Sequence, residues 1–153
     1  MLREVGRFRP RLPLLGLVLA LAIAAASAGP AAAQVETPGR GSPLRAAILD
    51  ALRPMVAAEV GPPVEFVVDQ LRVLGPWAFV SARPQRPGGG AIDYSRTKYR
   101  EAVAAGAFGD EAIALLHQTS GSWVVYEYSL GATDVPWVDW PDQYHLSPDL
   151  FPH

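Results

Sequence analysis

Between residues 42 and 60 the apolar positions recur at helical spacing. Leu44, Ile48, Leu52 and Met55 fall on one stripe while Arg45 and Arg53 lie off it, which predicts an amphipathic helix. Ser42 suits its N-cap and Pro43 its first turn. Pro54 removes an amide donor and crowds the carbonyl of Asp50, so a kink, or an end and restart up to Val60, is expected there. Gly61-Pro62-Pro63 closes the helix.

From residue 64 to 74 the period changes to two, the spacing of a strand. Val64, Phe66 and Val68 share one parity and Leu71 and Val73 the other, so a β-bulge across Asp69-Gln70 is needed to keep both sets on one core. Gly75-Pro76 turns the chain into a second strand over 77–82, and the two prolines and three glycines of 83–91 form a loop. Asp93 or Ser95 would cap a helix running through Ala105 to Gly106, with Tyr99, Ala102 and Val103 as its buried side. Residues 111–118 and 122–130 flank Thr119-Ser120-Gly121 as a second hairpin. Ile113, Leu115 and His117 share a face of its first strand. Its second strand is apolar on both faces, Trp123 and Val125 on one and Val124, Tyr126, Tyr128 and Leu130 on the other. Such a sheet needs cover on both sides. The helix supplies one cover, and the aperiodic segment 131–153, with its prolines and two tryptophans, supplies the other. The fold class is therefore α+β: an N-terminal helix packed on a four-stranded antiparallel sheet of two hairpins, with an irregular C-terminal covering segment.

Composition changes the picture at the amino terminus. The chain has 153 residues, half of them apolar, and its mean hydropathy of +0.13 is raised by the run 12–33. Arg3, Arg7, Arg9 and Arg11 precede Leu14-Leu15-Gly16-Leu17-Val18-Leu19, and small-residue cleavage sites follow at Ala26-Ser27-Ala28 and Ala31-Ala32-Ala33. This is the pattern of a secretory signal peptide over 1–33, too short in its apolar part for a membrane anchor. Residues 34–41 then read as a flexible lead-in and 42–153 as a single domain. The expected address is secreted and periplasmic. There is no cysteine, so no disulfide assists folding and the core must suffice.

Charge narrows the partners. Without residues 1–33 the chain keeps nine basic and fourteen acidic residues, a balance near −5 that excludes nucleic acid as a ligand. All nine basic residues lie between Arg40 and Arg100, whereas 101–153 holds eight acids and no Lys or Arg. The expected use is internal: Arg83, Arg86, Arg96, Lys98 and Arg100 facing the acidic tail within one fold. The alternative is an acidic docking surface for a basic partner.

The order helix, hairpin, irregular crossing, hairpin, with a closing strand opened by Gly121-Ser122-Trp123-Val124-Val125, resembles small secreted α+β domains of cystatin-like architecture, in which a helix packs on a bent antiparallel sheet. Together with Trp77-Ala78-Phe79-Val80 and Gly131-Ala132-Thr133-Asp134-Val135 it is similar to secreted bacterial proteins without an assigned activity. The Gln-x-Val-x-Gly loop of cystatin-type inhibitors is missing, so the resemblance implies the fold and not inhibition.

The richest chemistry lies in 134–145. Asp134, Trp137, Asp139, Trp140, Asp142 and Tyr144 form the candidate ligand-binding set, an aromatic platform beside carboxylates suited to sugars or cationic peptides. The bland alternative is that Trp137, Trp140 and Tyr144 merely cap the sheet. Asp139, Asp142 and His145 are spaced by three, but Pro141 interrupts a helix through them and no metal-binding pattern is matched, so no metal and no cofactor is expected. His117 reads as a satisfied edge histidine. Glu127, on the Trp123 and Val125 face, or Asp134 would be the general acid or base of a small pocket enzyme. The leading expectation is a non-catalytic binding or accessory domain for an envelope protein, peptide or glycan, with no membrane span after cleavage. A structural subunit associating through the sheet face is the third alternative.

Overall fold

The structure is a computed structural model that describes residues 33–153; apart from Ala33, the expected leader lies outside the described residues. Helix α1 spans Pro43–Val60, with Ser42 Oγ accepting the Arg45 amide at 3.2 Å. It is one continuous helix: Pro54 sits on its exposed side, where the missing donor leaves a carbonyl to water. Ile48, Leu52, Val56 and Val60 are buried at a spacing of four, so the stripe passes through Val56 rather than the expected Met55, which is 44% exposed. Gly61, at φ 76°, ends the helix and donates to the Ala57 carbonyl at 2.8 Å. The last carbonyls of a helix need outside partners. Arg86 provides them, reaching the carbonyls of Val60 (2.7 Å), Gly61 (2.5 Å) and Pro63 (2.9 Å).

Four strands, β1 (Glu65–Leu74), β2 (Trp77–Gln85), β3 (Ala112–Thr119) and β4 (Ser122–Leu130), form one antiparallel sheet in the order β1-β2-β3-β4. The fold is α+β, a helix on a four-stranded antiparallel sheet. The β1 register shifts between Val68 and Gln70, leaving Asp69 as the extra residue. The bulge does what the parity change requires, for Val64, Phe66, Val68, Leu71 and Val73 all join the core under α1. A second bulge corrects the sequence reading of β4. Leu115 pairs with Glu127 and Leu116 with Val125, so Tyr126 is extra. Trp123 and Val125 thereby join Tyr128 and Leu130 on the helix side, and the other face of β4 keeps only Val124 and Tyr126 of the apolar set.

Between β2 and β3 the expected helix is broken into a 3-10 turn at Tyr94–Arg96, capped by Asp93 accepting the Ser95 amide at 3.1 Å, and helix α2 at Arg100–Ala104. Tyr99 and Ala102 are half-buried, whereas Val103 is exposed, contrary to expectation. Tyr94, Tyr99 and Phe108 stack at 4.6 and 4.9 Å and seal the helix-side core. The Tyr99 hydroxyl donates to Glu59, which also pairs with Lys98 at 3.2 Å. Gly131 is fixed by this seal: at φ 86°, a Cβ there would strike the Phe108 ring.

The segment expected as a flexible lead-in is attached to the sheet. Glu36 and Val73 exchange both main-chain hydrogen bonds at 2.9 Å in an antiparallel bridge on the outer edge of β1. The other sheet face carries Phe79, Ile113 and Leu115, and the C-terminal segment packs on it with Trp140, Leu150 and Phe151 through helix α3 (Trp140–Gln143) and a 3-10 turn at Pro148–Leu150. Arg72 pins this end by donating to the Phe151 carbonyl at 2.8 Å.

Candidate functional site

Cross-strand pairing builds the site before any side chain is considered. Leu74 pairs with Trp77, Trp77 with His117 and His117 with Val124, which sets a row across all four strands at the hairpin end of the sheet. Directly opposed residues share a face. This is the face of Phe79 and Leu115, two residues away on β2 and β3, and the Tyr126 bulge adds a second β4 side chain to the row. Trp77 lies 4.4 Å from His117 and meets Tyr126 edge-on at 5.2 Å, and Tyr126 meets Tyr144 edge-on at 5.1 Å. Val124 and Tyr126 are 52% and 55% exposed. The result is a continuous aromatic ledge, open to solvent at its β4 end.

The polar rim is supplied by β4 and the tail. The Tyr144 hydroxyl donates to the Glu127 carboxylate and accepts from the Gln143 amide at 2.7 Å. Donation to a carboxylate holds the phenol proton and, with burial and the nearby negative charge, pushes the Tyr144 pKa up to about 12. Glu127 therefore faces the tail and not the Trp123 and Val125 side expected from simple alternation. His117 Nδ1 lies 3.1 Å from Thr119 Oγ1, the arrangement of a satisfied edge histidine.

The six residues singled out by sequence divide into cover and rim. Trp140 is 7% exposed and stacks on Phe151 at 6.3 Å, and half-buried Trp137 meets Phe79 edge-on at 5.4 Å, so both cap the sheet. Tyr144 alone among the aromatics of the set reaches the ledge. Asp134, Asp139 and Asp142 are exposed and enter no side-chain hydrogen bond or ion pair among the described residues, with Asp139 at the N-cap of α3 and Asp142 in its first turn. Asp139, Asp142 and His145 do not gather as a metal-holding group; among the described residues none of three or more ligand side chains exists.

The internal pairing of basic half with acidic tail is not what forms. The ion pairs are Arg53 with Asp50, Arg83 with Asp69, Lys98 with Glu59 and Arg100 with Glu101, all within 50–101. Strand pairing sets Asp69 beside Arg83, α1 supplies Asp50 and Glu59, and Glu101 is the chain neighbour of Arg100, while the tail packs on the opposite sheet face. Asp134, Asp139 and Asp142 are left to solvent.

Trp77, Val124 and Tyr126 were absent from the sequence-derived set. Shared parity of Trp77, Phe79 and His117 with their strand partners, and of Val124 with Tyr126, was the available signal; the side taken by Glu127 needed the bulge to be known.

No family model, curated protein or solved structure matches the chain. Among the described residues no helix is long and apolar enough to cross a membrane.

Proposed function

We propose that the protein is an exported, non-catalytic binding domain that takes a basic polypeptide segment on the ledge formed by Trp77, His117, Val124, Tyr126 and Tyr144. One observation carries the reading: the tail closes over Phe79, Ile113 and Leu115 but leaves the β4 end of the neighbouring row, Val124 and Tyr126, exposed, rimmed by Glu127 and followed along the chain by unpaired tail carboxylates. Aromatic faces and carboxylates are the two groups that attract Lys and Arg side chains, the first through the ring quadrupole and the second by charge. Glu127 already accepts from Tyr144, and Asp134 is exposed and enters no side-chain hydrogen bond or ion pair among the described residues, so neither favours acid/base chemistry.

Titration of the purified protein with a fluorescent Lys-rich peptide tests this, with a soluble oligosaccharide in parallel. The peptide should bind, and Tyr126→Ala with Tyr144→Ala should weaken it at least about tenfold, a loss of ~1.4 kcal/mol. Unchanged binding in that double variant overturns the site. Saturable binding of the sugar instead would make the ledge a glycan platform.

A further inference from the structure

We propose that the outer edge of β1, independent of the aromatic ledge, is a second binding site that takes an extended acidic peptide as an added strand. The chain already performs this addition once. Glu36, itself acidic, pairs antiparallel with Val73 through two 2.9 Å hydrogen bonds. The added strand then stops, because Pro38 two residues later has no N–H to give, and residues 39–42 turn away to start α1. In an antiparallel ladder every second residue faces the same neighbour, so the Leu71 amide and carbonyl face outward as those of Val73 do. No main-chain bond fills that edge beyond Val73 among the described residues.

Concave space follows the same edge. A gap of about 420 Å³ lies between Val35 and Thr37 on one side and Val68 and Leu71 on the other. It shares Arg45 and Val68 with a groove of about 540 Å³ between α1 and β1, which Arg40, Arg53 and Phe66 also line. Its charge is basic. Arg40 enters no ion pair or side-chain hydrogen bond among the described residues, and Arg45 gives one of its N–H groups to the Pro38 carbonyl at 3.2 Å. Arg53 lies 5.4 Å over the Phe66 ring. The nearby acids are mostly spent, Asp50 on Arg53 at 3.0 Å and the bulge residue Asp69 on Arg83 through two 3.1 Å bonds, with Glu65 exposed at the far end. A strand entering here would meet main-chain partners on one side and Arg40 and Arg45 on the other, which is strand addition with charge selection.

The test uses a fluorescein-labelled peptide of alternating Val and Glu, the same peptide with Gln for Glu, and one with Pro at alternate positions. The acidic peptide should bind saturably and slow exchange of the Leu71 amide at least about tenfold. The Gln peptide and the Arg40→Glu variant should each lower affinity about tenfold, and the Pro peptide should not bind. Arg40 is exposed, so its replacement leaves the fold intact. Absence of acidic-peptide binding, equal binding of the Pro peptide, or no change at the Leu71 amide overturns the proposal. Sedimentation showing that a second copy of the chain occupies the edge without added peptide also overturns it.

Discussion

The two faces of the sheet are covered by different means. On one, an 18-residue helix lays Ile48, Leu52, Val56 and Val60 along the strands, and two bulges bring Val64, Phe66, Val68, Leu71 and Val73 of β1 and Trp123, Val125, Tyr128 and Leu130 of β4 toward it. On the other, an irregular segment places single large side chains, Trp137, Trp140, Leu150 and Phe151, over Phe79, Ile113 and Leu115 and leaves the β4 end of the last row open. A periodic element covers a face continuously because its side chains recur with the strand spacing beneath them. An aperiodic one covers only where a large residue falls, and it leaves Val124 and Tyr126 open.

Register is the sharpest way to break the helix side. Deleting Asp69 should return Val64, Phe66 and Val68 to the tail side, since a one-residue slip reverses every side chain beyond it. Buried Val64 would then lose about 1.5–3 kcal/mol and half-buried Phe66 and Val68 a part of that each, a large share of the stability of a domain this size. Thermal unfolding followed by circular dichroism should lose its cooperative transition. A variant that melts like the parent would mean that the bulge does not set the register.

Point substitutions compare the two covers directly. Phe79→Ala and Trp140→Ala should each cost about 3–5 kcal/mol and Leu52→Ala about 2–5 kcal/mol in denaturant unfolding, because all three sites are buried. Trp137→Ala should cost less than Trp140→Ala, its ring being only half-buried. If the tail substitutions cost under about 1 kcal/mol while Leu52→Ala keeps its effect, the tail is a loose covering and not a core layer. On the open row, Tyr126→Ala should change stability by no more than about 0.5 kcal/mol, as for a surface site. A cost above 2 kcal/mol would assign Tyr126 to packing.

What could be read in advance follows the same division. The Ser42 cap, the helix stripe and the Asp69 bulge were legible because each leaves a local mark: a capping residue before a periodic run, or a change of parity between Val68 and Leu71. The Tyr126 bulge left none. Val, Trp and Tyr occupy both parities of β4, so no side chain marked where the register slips, and Glu127 was placed on the wrong face as a result. The tail's role as cover was legible from the sheet's need for it, but the division into buried Trp137 and Trp140 and exposed tail acids depends on where an aperiodic chain happens to run. The charge halves misled for a related reason. Sequence shows how many acids each half holds, whereas pairing depends on which sheet face they occupy, and Asp69 sits beside Arg83 while Asp134, Asp139 and Asp142 do not.

The smallest expected effect separates the two faces by alkaline pH. On the helix side, burial pushes the Tyr94 hydroxyl up to about 12 and raises Tyr128 further; on the tail side, donation to Glu127 holds Tyr144 at about 12. A phenol whose folded pKa lies above its unfolded value near 10 contributes stability that is fully present below pH 10 and is lost as pH rises through the folded value. Stability should therefore be level through neutral pH and fall between about pH 10 and 12. Tyr144→Phe should make that fall shallower while leaving neutral stability nearly unchanged, because Tyr144 is partly solvated and its hydrogen bond is screened. Tyr94→Phe should act chiefly through burial, with the opposing charges of Asp110 and Arg86 secondary, so its effect should largely survive high salt, whereas the Tyr144 effect should shrink with salt. Denaturant unfolding at pH 7 and pH 11, followed with tyrosinate absorbance, measures both. An equal salt response of the two variants would remove the distinction between a phenol held by a carboxylate and one held by the core.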